Sequence, residues 1–242
     1  MKEQWGEDVR TEQPVERRAA PGISRRTLLR VGAGGGLLLT AGRYMRSFAA
    51  AEAEAYADYA MIIDLNKCTG CGACEQACGI ANNLPEGESF IRRLRKEEIG
   101  DEHCWCLPVQ CQHCHDAPCQ AVCPASATYR HPSGVVLVNP KMCVGCKYCS
   151  VACPYDARTY NEHTGIVDKC WLCLDRVLRG EPTACAEACV SGARIFGRRD
   201  DPEIADLLAS GRAQPLHPEF GTKPGIVYYI FRDGQSTQKN GG

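Results

Sequence analysis

The feature that most constrains this chain is the grouping of its cysteines. Sixteen of the eighteen fall into four sets of four. The first set is Cys68, Cys71, Cys74 and Cys78, spaced C-x2-C-x2-C-x3-C. The second is Cys111, Cys114, Cys119 and Cys123, spaced C-x2-C-x4-C-x3-C. The third, Cys143, Cys146, Cys149 and Cys153, repeats the first spacing, and the fourth, Cys170, Cys173, Cys185 and Cys189, runs C-x2-C-x11-C-x3-C. The inner two sets end in Cys-Pro, at Pro124 and Pro154. The outer two end in Cys78-Gly79 and Cys189-Val190.

The spacing selects among the chemistries that use several thiols. Disulfide scaffolds are small, and three cysteines at this interval have no easy pairing geometry. Zinc takes C-x2-C pairs from two loops, which leaves the third cysteine of a set without a role. A zinc-held structural module is therefore the remote alternative. A cubane of four irons and four sulfides fits better. Three thiolates on one short loop reach three iron corners. The fourth cysteine lies beyond that loop, at the start of a helix, and points elsewhere. In two-cluster ferredoxins it ligates the other cluster, and C-x2-C-x2-C-x3-C-P is their bacterial run. Crossed in this way, Cys123 and Cys153 exchange within the inner pair of sets, and Cys78 and Cys189 within the outer pair. Gly70 and Gly145 let the backbone turn tightly around the cube, where its N–H groups reach the sulfurs and help set the potential.

Full ligation bears on function. Enzymes that cleave S-adenosylmethionine leave one iron open, with C-x3-C-x2-C. Three places beyond each fourth cysteine this chain has Ala81, Ser126, Asp156 and Gly192, none of them cysteine. The expectation is four 4Fe–4S clusters held by all sixteen cysteines as iron ligands, no catalytic residue, and a non-catalytic electron-transfer chain rather than an enzyme.

Residues 1–51 read as an address. SRRTLLR, Ser24 to Arg30, precedes the weakly apolar run VGAGGGLLLTAG, then Arg43, Arg46 and the small-residue tract SFAAAEAEA. This is the order of a signal peptide, and the arginine pair makes it a twin-arginine signal. Cleavage fits after Ala51, with Ala53 and Ala55 as further candidates. That route carries folded proteins, so a periplasmic location with the cofactors already inserted is expected. The longest apolar stretch, Val31 to Gly42, is too short to span a bilayer, so membrane association has to come through a partner. A net charge of −1 over 242 residues, with no long basic run, gives no reason to expect nucleic acid.

Between the cysteines the pattern predicts an α+β fold: two ferredoxin-like modules in tandem, with small hairpins and short helices around four cubanes. Tyr59–Asp64 suits a strand. Ala127–Arg130 and Val135–Val138 read as strands around the turn His131–Gly134, and Ala157–Tyr160 with Ile166–Val167 read the same way. The segments EQA, QAV, SVA and AEA, between third and fourth cysteines, look like helix starts. Asp201-Pro202 caps a short helix, and Ile226–Phe231 is an apolar strand better suited to core than to a partner surface. The expected organisation is a signal at 1–51, an outer module opening over 58–106, an inner module at 107–169, and the remainder of the outer module with a packing segment at 170–242.

The stretches IDLNKCTGCGACEQAC, LPVQCQHCHDAPCQAVCP, CVGCKYCSVACPYDAR and DKCWLCLDRVLRGEPTACAEACVSGARIFG carry a family resemblance. From about Ala60 to Phe231 the chain resembles the four-cluster iron–sulfur (beta) subunits of molybdopterin oxidoreductases of the dimethyl sulfoxide reductase family, which include the tetrathionate and polysulfide reductases. The twin-arginine signal, the CVSGAR ending and the segment GTKPGIVYYI are most similar to the tetrathionate branch. The resemblance implies a wire of clusters between a membrane quinol-oxidising subunit and a catalytic molybdopterin subunit. A cytochrome-linked membrane complex of sulfur or nitrite metabolism, without molybdenum, is the alternative. Some relatives have tryptophan at the second cysteine of the third set and carry a three-iron cluster; here that position is Cys146.

Two cysteines fall outside the sets. Cys104 and Cys106 flank Trp105 in HCWC. They read either as buried or partner-facing thiols or as a redox pair or exchange ligand. A C-x-C pair is poorly placed for an unstrained disulfide. His103, His113 and His115 stand near enough to tune a cluster, although no set needs a histidine ligand. Trp171, between two cysteines of the fourth set, either shields a cluster from water or simply packs.

Overall fold

The computed structural model describes residues 58–95 and 106–232. The signal expected at 1–51 lies outside them, as do His103, Cys104 and Trp105.

The architecture is α+β, organised on a four-stranded sheet. Strand β1 (Tyr59–Asp64) is central. It pairs antiparallel with β8 (Arg194–Arg198), with Ile62 opposite Ile195, and parallel with β10 (Val227–Ile230), with Met61 opposite Val227. A short strand, β9 (Gln214–Pro215), completes the sheet beyond β10. Both faces of β1 are covered, so it reads as a continuous apolar run rather than an alternation. Ala60 and Ile62 pack with Tyr228, Ile230 and helix α6 (Pro202–Ala209) through Ile204 and Leu207. Met61, Ile63 and Leu65 face the other way, into a core that contains Cys78, Cys114, Cys185 and Trp171. The sheet thus gives one face to α6 and the other to the sulfur-bearing half of the molecule. The strand at the C-terminal end is core: all four of its residues are buried.

Two hairpins lie apart from this sheet. Strands β4 (Thr128–Arg130) and β5 (Val136–Val138) pair antiparallel, as do β6 (Thr159–Asn161) and β7 (Ile166–Asp168). Gly134 and Gly165 turn the chain between the strands with φ of +83° and +68°. A third antiparallel pair, β2 (Arg92–Arg95) with β3 (Cys106–Val109), is one that the residue pattern does not suggest.

Four helices carry the cysteines: α1 (Ala73–Ala81), α2 (Pro118–Ala121), α3 (Tyr148–Val151) and α5 (Ala184–Glu187). They pack in two pairs, α1 with α5 and α2 with α3. The short helix α4 (Leu174–Leu178) occupies part of the long gap in the fourth set. Of the four expected helix starts, EQA lies within α1, whereas QAV, SVA and AEA run over the C-terminal ends of α2, α3 and α5, and the cysteines sit differently from expectation as well. The third cysteine of each set, not the fourth, is at the helix start. Cys78 lies inside α1, while Cys123, Cys153 and Cys189 follow the ends of α2, α3 and α5. Helix α6 forms as expected, with Pro202 in its first turn, but Asp201 does not cap it through its side chain. That carboxylate instead accepts a hydrogen bond from the Arg198 backbone N–H at 2.7 Å.

Candidate metal centres

The cysteines gather around four cavities of similar lining. Cys68, Cys71, Cys74 and Cys189 line one. Cys78, Cys170, Cys173 and Cys185 line a second. Cys111, Cys114, Cys119 and Cys153 line a third. Cys123, Cys143, Cys146 and Cys149 line the fourth. Each cavity takes three cysteines from one set and the fourth from another. The sites are named below by Cys71, Cys170, Cys111 and Cys146.

Helical geometry produces this exchange. Cysteines four residues apart on a helix stand about 6 Å apart along its axis. Helix α1 therefore delivers Cys74 to the Cys71 site and Cys78 to the Cys170 site. Helix α5, packed against it, delivers Cys185 to the Cys170 site, and the chain just past its end delivers Cys189 to the Cys71 site. Helices α2 and α3 do the same for the Cys111 and Cys146 sites, with Cys119 and Cys149 on the helices and Cys123 and Cys153 just beyond them.

The loops repeat in conformation as well as in spacing. The residue before the second cysteine has a left-handed backbone in every set: Gly70 at +67°, His113 at +49°, Gly145 at +66° and Leu172 at +63°. For His113 and Leu172 that conformation costs about 1–2 kcal/mol, so the surrounding structure must hold it. A Cβ on Gly145 would collide with the Gly165 carbonyl oxygen. Three residues beyond the fourth cysteine, Ser126, Asp156 and Gly192 are left-handed too. This second turn aims N–H groups at sulfur. Cys123 faces the backbone N–H groups of Ala125, Ala127 and Thr128, and Cys189 those of Ser191, Ala193 and Arg194. Cys153 faces those of Tyr155 and Ala157.

The electrostatics show what such cavities require. Burial pushes the Cys114 thiol up to about 12 and the Cys173 thiol up to about 11, and holds Cys170 well above its ordinary value. Thiolates packed together in a dry site are unfavourable until cations neutralise them; bound metal deprotonates its thiol ligands. Among the described residues, no three Cys, His, Asp or Glu side chains converge as a single metal ion requires. The donors surround a volume rather than a point. Four sulfur donors around each of four similar cavities suit a cubane, and suit zinc poorly.

The remaining sequence candidates are near these sites. Cys106 is buried on β3, with its Cβ 3.1 Å and its Sγ 3.7 Å from where a Cβ on Gly70 would stand. It hydrogen-bonds Cys68, which favours thiolate at Cys68 and thiol at Cys106. His113 is wholly buried, accepts a hydrogen bond from the Val136 N–H at 3.1 Å, and is kept neutral chiefly by burial. His115 is at the surface beside Asp116. Trp171 is buried and lines the Cys170 site. Two arginines that the residue pattern does not single out, Arg158 and Arg194, are buried beside the cavities. A signal for them is nonetheless present: each stands five places after a fourth cysteine, in CPYDAR and CVSGAR.

The chain is similar to known iron–sulfur proteins. Residues 103–199 match the model of a 4Fe-4S dicluster domain, and residues 59–78 match that of a 4Fe-4S binding domain. The B subunit of tetrathionate reductase from Salmonella typhimurium is 43% identical over 178 residues, 70% of this chain and 71% of that one. The thiosulfate reductase electron transfer subunit PhsB of Salmonella typhi is 42% identical over 151 residues, 60% of this chain and 79% of its own. The protein NrfC of Escherichia coli K12 is 41% identical over 187 residues, 74% and 84% of the two chains.

Proposed function

This chain belongs to the family of 4Fe–4S iron–sulfur subunits that includes the tetrathionate reductase B subunit, and from that premise we propose that its sixteen grouped cysteines hold four clusters in a single line. The line runs from the Cys71 site through the Cys170 and Cys111 sites to the Cys146 site. In this reading the Cys71 and Cys170 sites form an outer ferredoxin-like module, and the Cys111 and Cys146 sites an inner one.

The observation that carries the reading is the sharing of helices between sites. Cys74 and Cys185, on packed helices, belong to adjacent sites and lie near enough for the charge on one to raise the pKa of the other. Cys119 and Cys149 do the same at the other end. Between the pairs, Cys170 interacts with Cys111, and Gln110 lines the Cys170 site one residue before Cys111. Exposure follows the same order. Cys71 and Cys146, at the two ends, are exposed, whereas the Cys111 site has three buried cysteines and so does the Cys170 site. A line with buried middle members and two exposed ends suits relay between two docked partners.

We assign those partners as a catalytic molybdopterin subunit and a membrane subunit that oxidises quinol, with the chain exported by the twin-arginine route. When bound, the clusters supply one-electron transfer. The chain's own residues fix the spacing of the sites, exclude water from the middle two, and direct N–H groups at their sulfurs. No helix among the described residues is long and apolar enough to cross a membrane, so quinol oxidation is assigned to another subunit.

The test is metal and sulfide analysis of the complex isolated anaerobically from solubilised membranes. Iron and sulfide at about four of each per site, together with molybdenum, support the reading. Iron with haem and no molybdenum moves the chain to a cytochrome-linked complex. Zinc without sulfide rejects the cluster assignment.

A further inference from the structure

Arg158 and Arg194 occupy equivalent places in two copies of one loop, five residues after Cys153 and Cys189. Both are buried, at 8% and 6% exposed. Arginine is almost never buried without a partner for its charge. Among the described residues neither is matched by a carboxylate; the titratable groups that face them are cysteines, with Tyr229 also beside Arg194.

Their positions mirror each other. Arg158 lines both the Cys111 and the Cys146 cavities. One terminal nitrogen donates to Thr128 Oγ1 at 3.4 Å. Thr128 is itself five places after Cys123, so the arginine touches the residue that holds its own place in the paired loop. Arg194 lines the Cys71 cavity. Its Nη1 donates to Gln110 Oε1 at 2.7 Å and stands 3.7 Å from Cys185 Sγ of the Cys170 site. In both arginines Nη2 is buried and has no oxygen or nitrogen acceptor; the further partners of each guanidinium are cavity sulfurs, Cys119 for Arg158 and Cys74 for Arg194. A buried unpaired donor costs about 1–3 kcal/mol, and more on a charged group. Two such donors, each on a cation facing two sulfur cavities, need a negatively charged acceptor inside the site.

We propose that each guanidinium is the shared counter-ion of two clusters: Arg194 for those at the Cys71 and Cys170 sites, Arg158 for those at the Cys111 and Cys146 sites. This rests on the reading that the four sites hold 4Fe–4S clusters. A cubane with four thiolate ligands is anionic, and reduction adds one further negative charge. A fixed positive charge between two such sites, in a low dielectric, favours the reduced state of both. Net charge and hydrogen bonds to sulfur are among the established determinants of cluster potential. The potentials are thereby set two at a time, by one residue per pair.

The experiment is a reductive titration followed by electron paramagnetic resonance, with dithionite as reductant, on the anaerobically purified complex. Unmutated protein is compared with Arg194→Gln, Arg158→Gln and the two lysine variants. Iron and sulfide in the unmutated complex test the cluster reading separately, before any variant is compared. Arg194→Gln is expected to lower two of the four potentials, each by about tenfold or more in the reduction equilibrium, which is about 59 mV for one electron. Arg158→Gln is expected to lower the other two. The lysine variants, which keep the charge, return them most of the way. Glutamine variants with full iron and unchanged potentials, or with all four shifted alike, overturn the proposal. If a glutamine variant loses iron, the lysine variant decides. Iron and potentials restored by lysine uphold the counter-ion role; iron lost with lysine too makes the arginine a packing element and overturns it.

Discussion

Cys74 and Cys78 stand one turn apart on α1 and face different cavities, the first shared with Cys68, Cys71 and Cys189, the second with Cys170, Cys173 and Cys185. A set that is contiguous in sequence is therefore divided in space, and a ligand variant should report the division.

Cys78→Ala is expected to disturb the cluster among Cys170, Cys173 and Cys185, more than ninety residues away in sequence, and to leave the Cys71 site loaded. About a quarter of the iron is lost or converted, and the electron paramagnetic resonance signal of one middle cluster changes. Loss of the Cys71-site signal instead would show that ligation follows the sequence sets.

Gly145→Ala tests the loop geometry. The new Cβ meets the Gly165 carbonyl, and φ is +66°. The left-handed backbone alone costs about 1–2 kcal/mol, and the main-chain collision adds to it. The Cys146 site should lose iron at a lower temperature than in the unmutated protein. Gly180→Ala is the comparison: its φ is +78°, with nothing within 4 Å of the added Cβ, and it lies away from the cavities. It should destabilise less.

Cys106→Ala separates the sixteen from the extra thiols. Cys106 lies against Gly70 and hydrogen-bonds Cys68, but it lines none of the four cavities. The variant should keep its full iron content and lose about 1 kcal/mol or less of stability, since only a small buried group is removed. A fall in iron by one cluster would make Cys106 a ligand.

Tyr229 and Tyr155 set an alkaline limit. Burial pushes both phenols up to about 12, from an ordinary value of 10. The unfolded chain releases these protons near pH 10 and the folded chain near pH 12. Their contribution is full below pH 10 and is lost as pH rises towards 12. Thermal unfolding followed from pH 9 to 12 should show the midpoint falling across that window. Tyr229→Phe should flatten the fall, at the loss of the 3.1 Å hydrogen bond to the Pro108 carbonyl.

Much of this is readable in the residues, and the exceptions have physical causes. Tyr59–Asp64 is legible because both faces of the strand are apolar, and the hairpin around Gly134 because its turn chemistry is local. The pairing of Arg92–Arg95 with Cys106–Val109 is not, since a strand of three arginines and one leucine has no pattern of its own and exists through its partner. Gly70 and Gly145 announce the left-handed turns of two loops. His113 and Leu172 make the same turn without glycine, held there by burial, and no local residue type signals it. Arg158 and Arg194 follow the same logic. A single arginine reads as surface, and its burial depends on what four distant thiols surround.

Iron-edge anomalous diffraction from crystals of the anaerobically isolated complex would decide between crossed ligation and every alternative. Four iron centres are expected on this chain, in the order Cys71, Cys170, Cys111 and Cys146 sites, with the first and last nearest the partner subunits. Fewer iron centres, zinc in their place, or a cluster bound by four cysteines of one contiguous set would contradict it.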